Sequence, residues 1–437
     1  MSRYFSKRMR GLSAALIATT LMFFAAAGCG DRHTTGSGTR DANGKIVLDF
    51  WNGFTGPDGK TMEAIVNQFQ HDNPDVQVRM QIIPWGTYYD KLTLSLAYGG
   101  APDVFIVHAA RLPEFASFGK LHPVGDMFAS STPALTASDF APRPWAATFY
   151  KGVQYALPLD THPGGLYYNT KLFKEAGIVD EHGNAKPPTT LAEFIVDGQK
   201  LTKDTDGDGR PDQWGFVYTN FRSNWITFAT QYGADIVSAD GKRCVIDSPQ
   251  SIQASQLMND LIYKYKIAPR PDGIDSWLAF RQGKVAMAME GIYMLDSLQE
   301  QTGLQFAGAP VPQFGPIPAT WAGSHLLAQP EGISAERSKA AWRLMRYISD
   351  HSFTWAAGGQ VPARDSVRQS PAFKTLTVQA QFARELPYVH YEPLIPKDNS
   401  LFQFVDPAIE AVLLNLQTPQ QAMSDAQRRV NQLLERP

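Results

Sequence analysis

Of 437 residues only two are cysteine, Cys29 and Cys244, so a scaffold stapled by several disulfides is excluded. Long apolar runs are missing too. The main one, Leu12 to Ala27, falls short of the ~20 residues that span a bilayer comfortably. No charge of one sign dominates: the chain carries −2, or −6 without the basic residues Arg3, Lys7, Arg8 and Arg10. Such a balance does not favour nucleic acid or anionic lipid as partners. Catalytic signatures are lacking as well. There is no G-x-S-x-G, H-E-x-x-H or P-loop, and the nine histidines show no zinc-ligand spacing. A sugar hydrolase would need two carboxylates flanking the bond, a pair that one sequence cannot single out.

What is present begins with an address. The stretch MSRYFSKRMR carries four bases and no acid, an apolar run follows, and small residues lead to Gly28-Cys29. That is the layout of an export signal. The residues AAGC, Ala26 to Cys29, resemble a bacterial lipobox, with Ala26 where that pattern usually has Leu. The resemblance implies that residues 1–28 are removed and that Cys29 is diacylated, leaving Cys244 without a disulfide partner. Residues 29–44 are polar and rich in Gly, Ser and Thr, a flexible tether to the lipid anchor.

The body is ordinarily globular, with 43% hydrophobic residues, and its roughly 400 residues exceed the size at which one core usually splits in two. KIVLDFW (45–51), VQVRMQIIPW (76–85) and DVFIVH (103–108) read as buried strands. Between them Met62, Ile65, Val66 and Phe69, then Tyr89, Leu92 and Leu96, fall at helical spacing. This alternation predicts an α/β fold with a parallel sheet, whose ligands bind beyond the carboxyl ends of the strands. Those ends are Trp51-Asn52, Trp85-Gly86 and His108-Ala109. Thr190 with Glu193, Ser248-Pro249 and Thr418 with Gln421 mark helix starts.

Four stretches, GGAPDVFIVHAARLPEFASFGKLHPV, QYALPLDTHPGGLYYNTKLFKEAGI, FRQGKVAMAMEG and GGQVPARDSV, together resemble the family 1 extracellular solute-binding proteins of carbohydrate ABC importers, the maltose-binding-protein group. The similarity runs from about Lys45 to the C-terminus. It implies a two-lobed, type II periplasmic-binding-protein fold with discontinuous α/β lobes. Residues 45–157 and 319–365 form lobe one, and residues 158–318 and 366–437 form lobe two. It further implies a monomer with no enzymatic activity and no required cofactor. That monomer is tethered at the outer face of the cytoplasmic membrane and delivers a carbohydrate to the permease subunits. A polyol phosphate such as glycerol 3-phosphate is the alternative solute, and a secreted carbohydrate-active enzyme the alternative class.

Sugars offer apolar C–H faces and a ring of hydroxyls, which proteins meet with aromatic platforms and planar polar groups. Trp51, Trp85, Trp225, Trp277 and Trp321 sit at strand ends or beside loops, with Asp160, His108, His162, Gln360 and Arg364 as polar candidates. Large aromatics also fill cores, and Asp160 could equally cap amides at a hinge. One further motif stands apart. In DTDGDGRPDQWGF, Asp204, Asp206, Asp208, the Arg210 carbonyl and Asp212 match positions 1, 3, 5, 7 and 9 of an EF-hand loop, but position 12 is Gly215 instead of a bidentate Glu. The readings are a structural calcium clip between a helix and a strand, or an Asp/Gly turn with its acids in water.

Overall fold

The computed structural model describes residues 40–436; the export signal, Cys29 and the tether as far as 39 lie outside the described residues. Alternating apolar residues build the first sheet. Strand β1 (Ile46–Asn52) fully buries Leu48 and Phe50, and β2 (Val76–Ile82) and β3 (Val104–His108) flank it in parallel. The helix Pro57–Asp72 links β1 to β2 and buries Met62, Ile65, Val66 and Phe69. The helix Trp85–Tyr98 links β2 to β3 and buries Tyr88 and Leu92. Trp85 therefore opens a helix and does not close a strand. Pro84 at its N-cap has no N–H with which to extend the ladder.

A small hairpin, β4 (Phe149–Tyr150) and β5 (Val153–Gln154), precedes β6 (Ala156–Pro158). The chain then enters a second sheet as β7 (Asp160–Asn169), all ten residues of which are buried. Next come β8 (Trp214–Tyr218), β9 (Val285–Gly291), β10 (Phe306–Ala309) and β11 (Thr320–Gly323). β9, β10 and β11 all pair antiparallel with β7, while β8 runs parallel to β9. After Ser324, β12 (His325–Ala328) returns to the first sheet and inserts antiparallel between β3 and β6. The first sheet is thus mixed, parallel only where strand and helix alternate. Finally β13 (Val361–Pro362) pairs with Asp160 and Thr161, and β14 (Val389–His390) pairs with β11.

Each sheet has its own core. The helix Ala335–Asp350 covers the first, burying Ala341, Leu344, Met345 and Ile348. The helices Pro249–Tyr263, Asp398–Leu413 and Pro419–Leu434 pack together over the second. The return between sheets falls at Ser324, not at 319. Residues Thr320–Gly323 belong to the second sheet, where Trp321 N–H also donates to Thr227 Oγ1 at 3.0 Å. Thr418 and Gln421 form a reciprocal capping box. At Thr190 only half of one forms, because the Glu193 carboxylate accepts from Thr189 instead.

The acidic loop 204–212 connects the helix Leu191–Leu201 to β8, and the packing behind it explains Gly215. A Cβ there would stand 2.2 Å from the Gly198 carbonyl oxygen and 2.6 Å from Gly198 Cα. Strand and helix touch backbone to backbone, which leaves no room for the bidentate Glu of an EF-hand. Gly215→Ala is expected to lower unfolding free energy by about 1–3 kcal/mol, the cost of overpacking. Urea denaturation of wild type and variant measures it.

Candidate ligand-binding cleft

Three crossings between the sheets meet at Asp160, which is fully buried. Its Oδ1 accepts from the His325 backbone N–H at 2.9 Å, and its Oδ2 meets His325 Nδ1 at 2.8 Å and Trp355 Nε1 at 2.7 Å. The Asp160 carbonyl accepts from Ser324 Oγ, and Pro362 of β13 stands opposite. One carboxylate thus joins the outgoing strand, the return strand and the third crossing. Burial alone would push its pKa up. The adjacent His325 and His162 and these donors outweigh that and hold it well below the usual carboxylate range.

Above this knot lies a cavity of about 600 Å³, within the size range of small-molecule sites. The first sheet contributes the turn Gly53–Asp58 after β1, Trp85 and Tyr89 one turn apart at the start of their helix, and His108 at the end of β3 with Ala109 to Arg111 after it. The second contributes Tyr293 to Ser297, Trp321 to Gly323, and the segment around Tyr391, Glu392 and Asp398. These are strand ends and helix starts, as the open-sheet rule requires.

The floor is imidazole. His108, His162 and His325 have ring centroids 4.5–5.9 Å apart, and Trp85 stacks on His325 at 5.9 Å with an interplanar angle of 11°. Burial first, and then the neighbouring His325, push His108 well below the ordinary histidine range and lower His162 as well. The walls are aromatic and acidic. Asp58, Asp296, Glu392 and Asp398 line the cavity against one cation, Arg111. Arg111 is paired with Glu114 at 2.9 Å and lies over the Tyr89 ring. Burial, then Asp58 and Glu300, push Asp296 up to about 7. Burial and Glu392 push Asp398 well above its usual value.

Of the residues singled out in the sequence, Trp85, His108, His162 and Trp321 come together here. Asp160 lies beneath them, committed to the crossings, and does not line the cavity. Trp225 is fully buried in the second core and donates to Ser255 Oγ at 2.8 Å. Trp277 stacks on Phe280 in a packing cluster, and Trp51 is core beneath Lys91. Gln360 is buried outside the cavity lining. Arg364 pairs with Asp350 at 2.9 Å over the Phe140 ring, also outside it. For these five, adjacency to a strand end in sequence is a poor guide, because the tryptophans pack into the cores, Gln360 is buried elsewhere and Arg364 turns to Asp350. Conversely, Tyr89, Arg111, Tyr293, Tyr391 and His325 line the cleft without having been singled out. Tyr89 shows a core periodicity with Leu92, but near the start of its helix it faces the sheet end, and its hydroxyl meets His108 Nδ1 at 2.5 Å. His325 was within reach of sequence reasoning, four residues after Trp321 at a return between lobes.

Away from the cleft, Asp204, Asp206 and Asp208 are exposed and present oxygens within 4.8 Å of one another. Asp204 accepts from the backbone of Gly207 and Gly209. The Asp212 carboxylate instead accepts from Thr205 N–H and Oγ1, so position 9 is already engaged. Arg210 donates its N–H to Asp208.

The two-lobed arrangement with a cleft at the crossings is that of a solute-binding protein. The bacterial extracellular solute-binding protein family matches residues 54–351, and the chain belongs to this family. It is 25% identical over 440 residues to the sn-glycerol-3-phosphate-binding periplasmic protein of Yersinia pseudotuberculosis, covering 91% of this chain and 95% of that one. Among solved structures it resembles an ABC substrate-binding protein of Listeria monocytogenes in complex with cycloalternan. The TM-score is 0.77 and the identity 21%, with 89% of this chain and 99% of that one covered. It also resembles a maltose/maltodextrin-binding domain of Bdellovibrio bacteriovorus bound to maltotriose. There the TM-score is 0.76 and the identity 20%, with 90% and 100% covered.

Removing the hinge carboxylate strands several donors at once. Asp160→Ala is expected to lower stability by about 1–3 kcal/mol for each buried donor left unpaired. Because the folded-state pKa is depressed, this contribution is present above the unfolded value near ~4 and fades as pH falls toward the folded one. Denaturation from pH 7 into acid should show the gap between wild type and variant closing below about pH 4.

Proposed function

We propose that the protein is the capture component of an ABC importer and takes a neutral polyhydroxylated solute, a di- or oligosaccharide, in this cleft. The observation that carries the reading is the lining itself. Trp85, Tyr89, Trp321, Tyr293 and Tyr391 supply aromatic faces, and four carboxylates with three imidazoles supply planar hydroxyl partners. Relatives that bind cycloalternan and maltotriose share the fold. The glycerol phosphate alternative has a named relative but poor electrostatics here. A phosphate would face Asp58, Asp296, Glu392 and Asp398, with only the already paired Arg111 to receive it.

Solute bound to both lobes favours the closed state by differential contact. The chain acts as a monomeric receptor and not as a catalyst. Cys29 carries the lipid that keeps it at the outer face of the cytoplasmic membrane, beside its permease. A screen of sugars should therefore find one that makes the protein more compact in X-ray scattering and is recovered unchanged. Trp85→Ala or Trp321→Ala should weaken its binding ~10-fold or more, about 1.4 kcal/mol of lost stacking. Consumption of the sugar, or full affinity in both variants, would refute the reading.

A structural calcium ion at Asp204, Asp206 and Asp208 belongs to the same proposal, supported by three exposed carboxylates brought together. Chelation should lower the melting temperature of wild type and leave Asp206→Asn/Asp208→Asn unmoved. Identical wild-type curves with and without chelator would make the loop a bare turn.

A further inference from the structure

The cleft floor holds more nitrogen than hydroxyl recognition requires. One ring nitrogen from each of His108, His162 and His325 lies within 4.8 Å of the other two. The three rings come from different elements: the end of β3, the start of β7 and the start of β12. Two of them are oriented by a protein oxygen on one nitrogen. His325 Nδ1 bonds the Asp160 carboxylate at 2.8 Å, and His108 Nδ1 meets the Tyr89 hydroxyl at 2.5 Å. This leaves Nε2 of each ring for the cavity they line. His162 Nδ1 stands 3.5 Å from Asp160 Oδ1 and makes no hydrogen bond. Its Nε2 rests against Gly323, where a Cβ would come within 2.0 Å of it. Any other residue at 323 would displace this ring from the cluster.

From this geometry we propose that the histidine cluster binds one divalent transition-metal ion of the zinc class, with an open coordination position facing the cavity. With the nitrogens already within 4.8 Å of one another, rotation of the rings would have to bring them to the ~2.0–2.1 Å of zinc–imidazole bonds. Three imidazoles with an open position form the ligand set of open zinc sites, and a carboxylate behind a ligating imidazole is the usual outer-shell partner. Uncharged nitrogen donors select zinc, copper, nickel or iron over calcium and magnesium, which require oxygen. The acids around the cavity, Asp58, Asp296, Glu392 and Asp398, favour a cation and fit the same site. The open position takes water or an oxygen of the solute. The cleft thereby becomes able to hold a solute through a metal as well as through stacking.

The test uses full-length mature protein without a polyhistidine tag. Titration with zinc should show one tight equivalent per chain and a rise in melting temperature. Cobalt should give a visible ligand-field band from nitrogen coordination. His108→Gln and His162→Gln should each weaken zinc by more than the ~10–100-fold that loss of an outer-shell partner costs. His71→Gln, which alters an exposed histidine outside the cleft, should keep both zinc and the band. Circular dichroism identifies any His variant that fails to fold, and for such a variant the wild-type cobalt band decides. Absence of zinc binding to wild type, absence of the band, or unchanged affinity in both folded cleft His variants overturns the proposal. Sugar titrations in excess chelator test the carbohydrate reading separately, so either can fail while the other stands.

Discussion

The carboxylate of Asp160 is the constraint on which the rest depends. Two lobes joined by three separate crossings need something that keeps those crossings in register while the lobes rotate. A single side chain bonded to the return strand through the His325 backbone, and to the third connection through Trp355, does this. Being buried and ionised, it tolerates no loss of partner, since an unpaired charge in a dry interior costs far more than the bonds that hold it. One carboxylate therefore ties the three crossings together at the hinge.

The same carboxylate shapes the cleft from below. It holds His325 by Nδ1 and sits under His162, so two of the rings that line the cavity are set by the group that fixes the crossings. Asp296 and Asp58 stand on opposite walls, and burial first and then Asp58 push the Asp296 carboxyl up to about 7. A ligand that supplies hydroxyl donors between these acids would suit them, whereas an anion would not.

How much of this was legible in the sequence follows from what each signal measures. Strand and helix periodicity reports burial, so β1, β3 and the helix stripe at Met62–Phe69 were readable, while the two-lobe division came from the length of the chain and from the family resemblance. The cavity lining was half readable. Trp85, His108, His162 and Trp321, singled out near predicted strand ends and crossings, do line the cavity, Trp85 from the start of a helix. Trp225 and Trp277 were not separable from them, since a tryptophan beside a loop carries no mark of which way its indole turns. Asp160 could be placed at a crossing but not oriented. The sequence contains no statement that Trp355 and His325 would reach it from 195 and 165 residues away. Gly215 shows the converse case. Its departure from the calcium-loop pattern was plain, while the reason, a backbone contact with Gly198, exists only in the packing.

Hinge and binding floor share one hydrogen bond, His325 Nδ1 to Asp160 Oδ2, and this gives ligand sensing a physical route. Whatever engages the other face of the His325 ring, a hydroxyl or a metal ion, withdraws electron density from the imidazole and strengthens its bond to the carboxylate. That bond in turn fixes the start of β12, the strand by which the second sheet returns to the first. Occupation of the cleft floor would thus tighten the joint between the lobes without a separate relay. The ring that lines the cavity floor is also the ring that the hinge carboxylate holds.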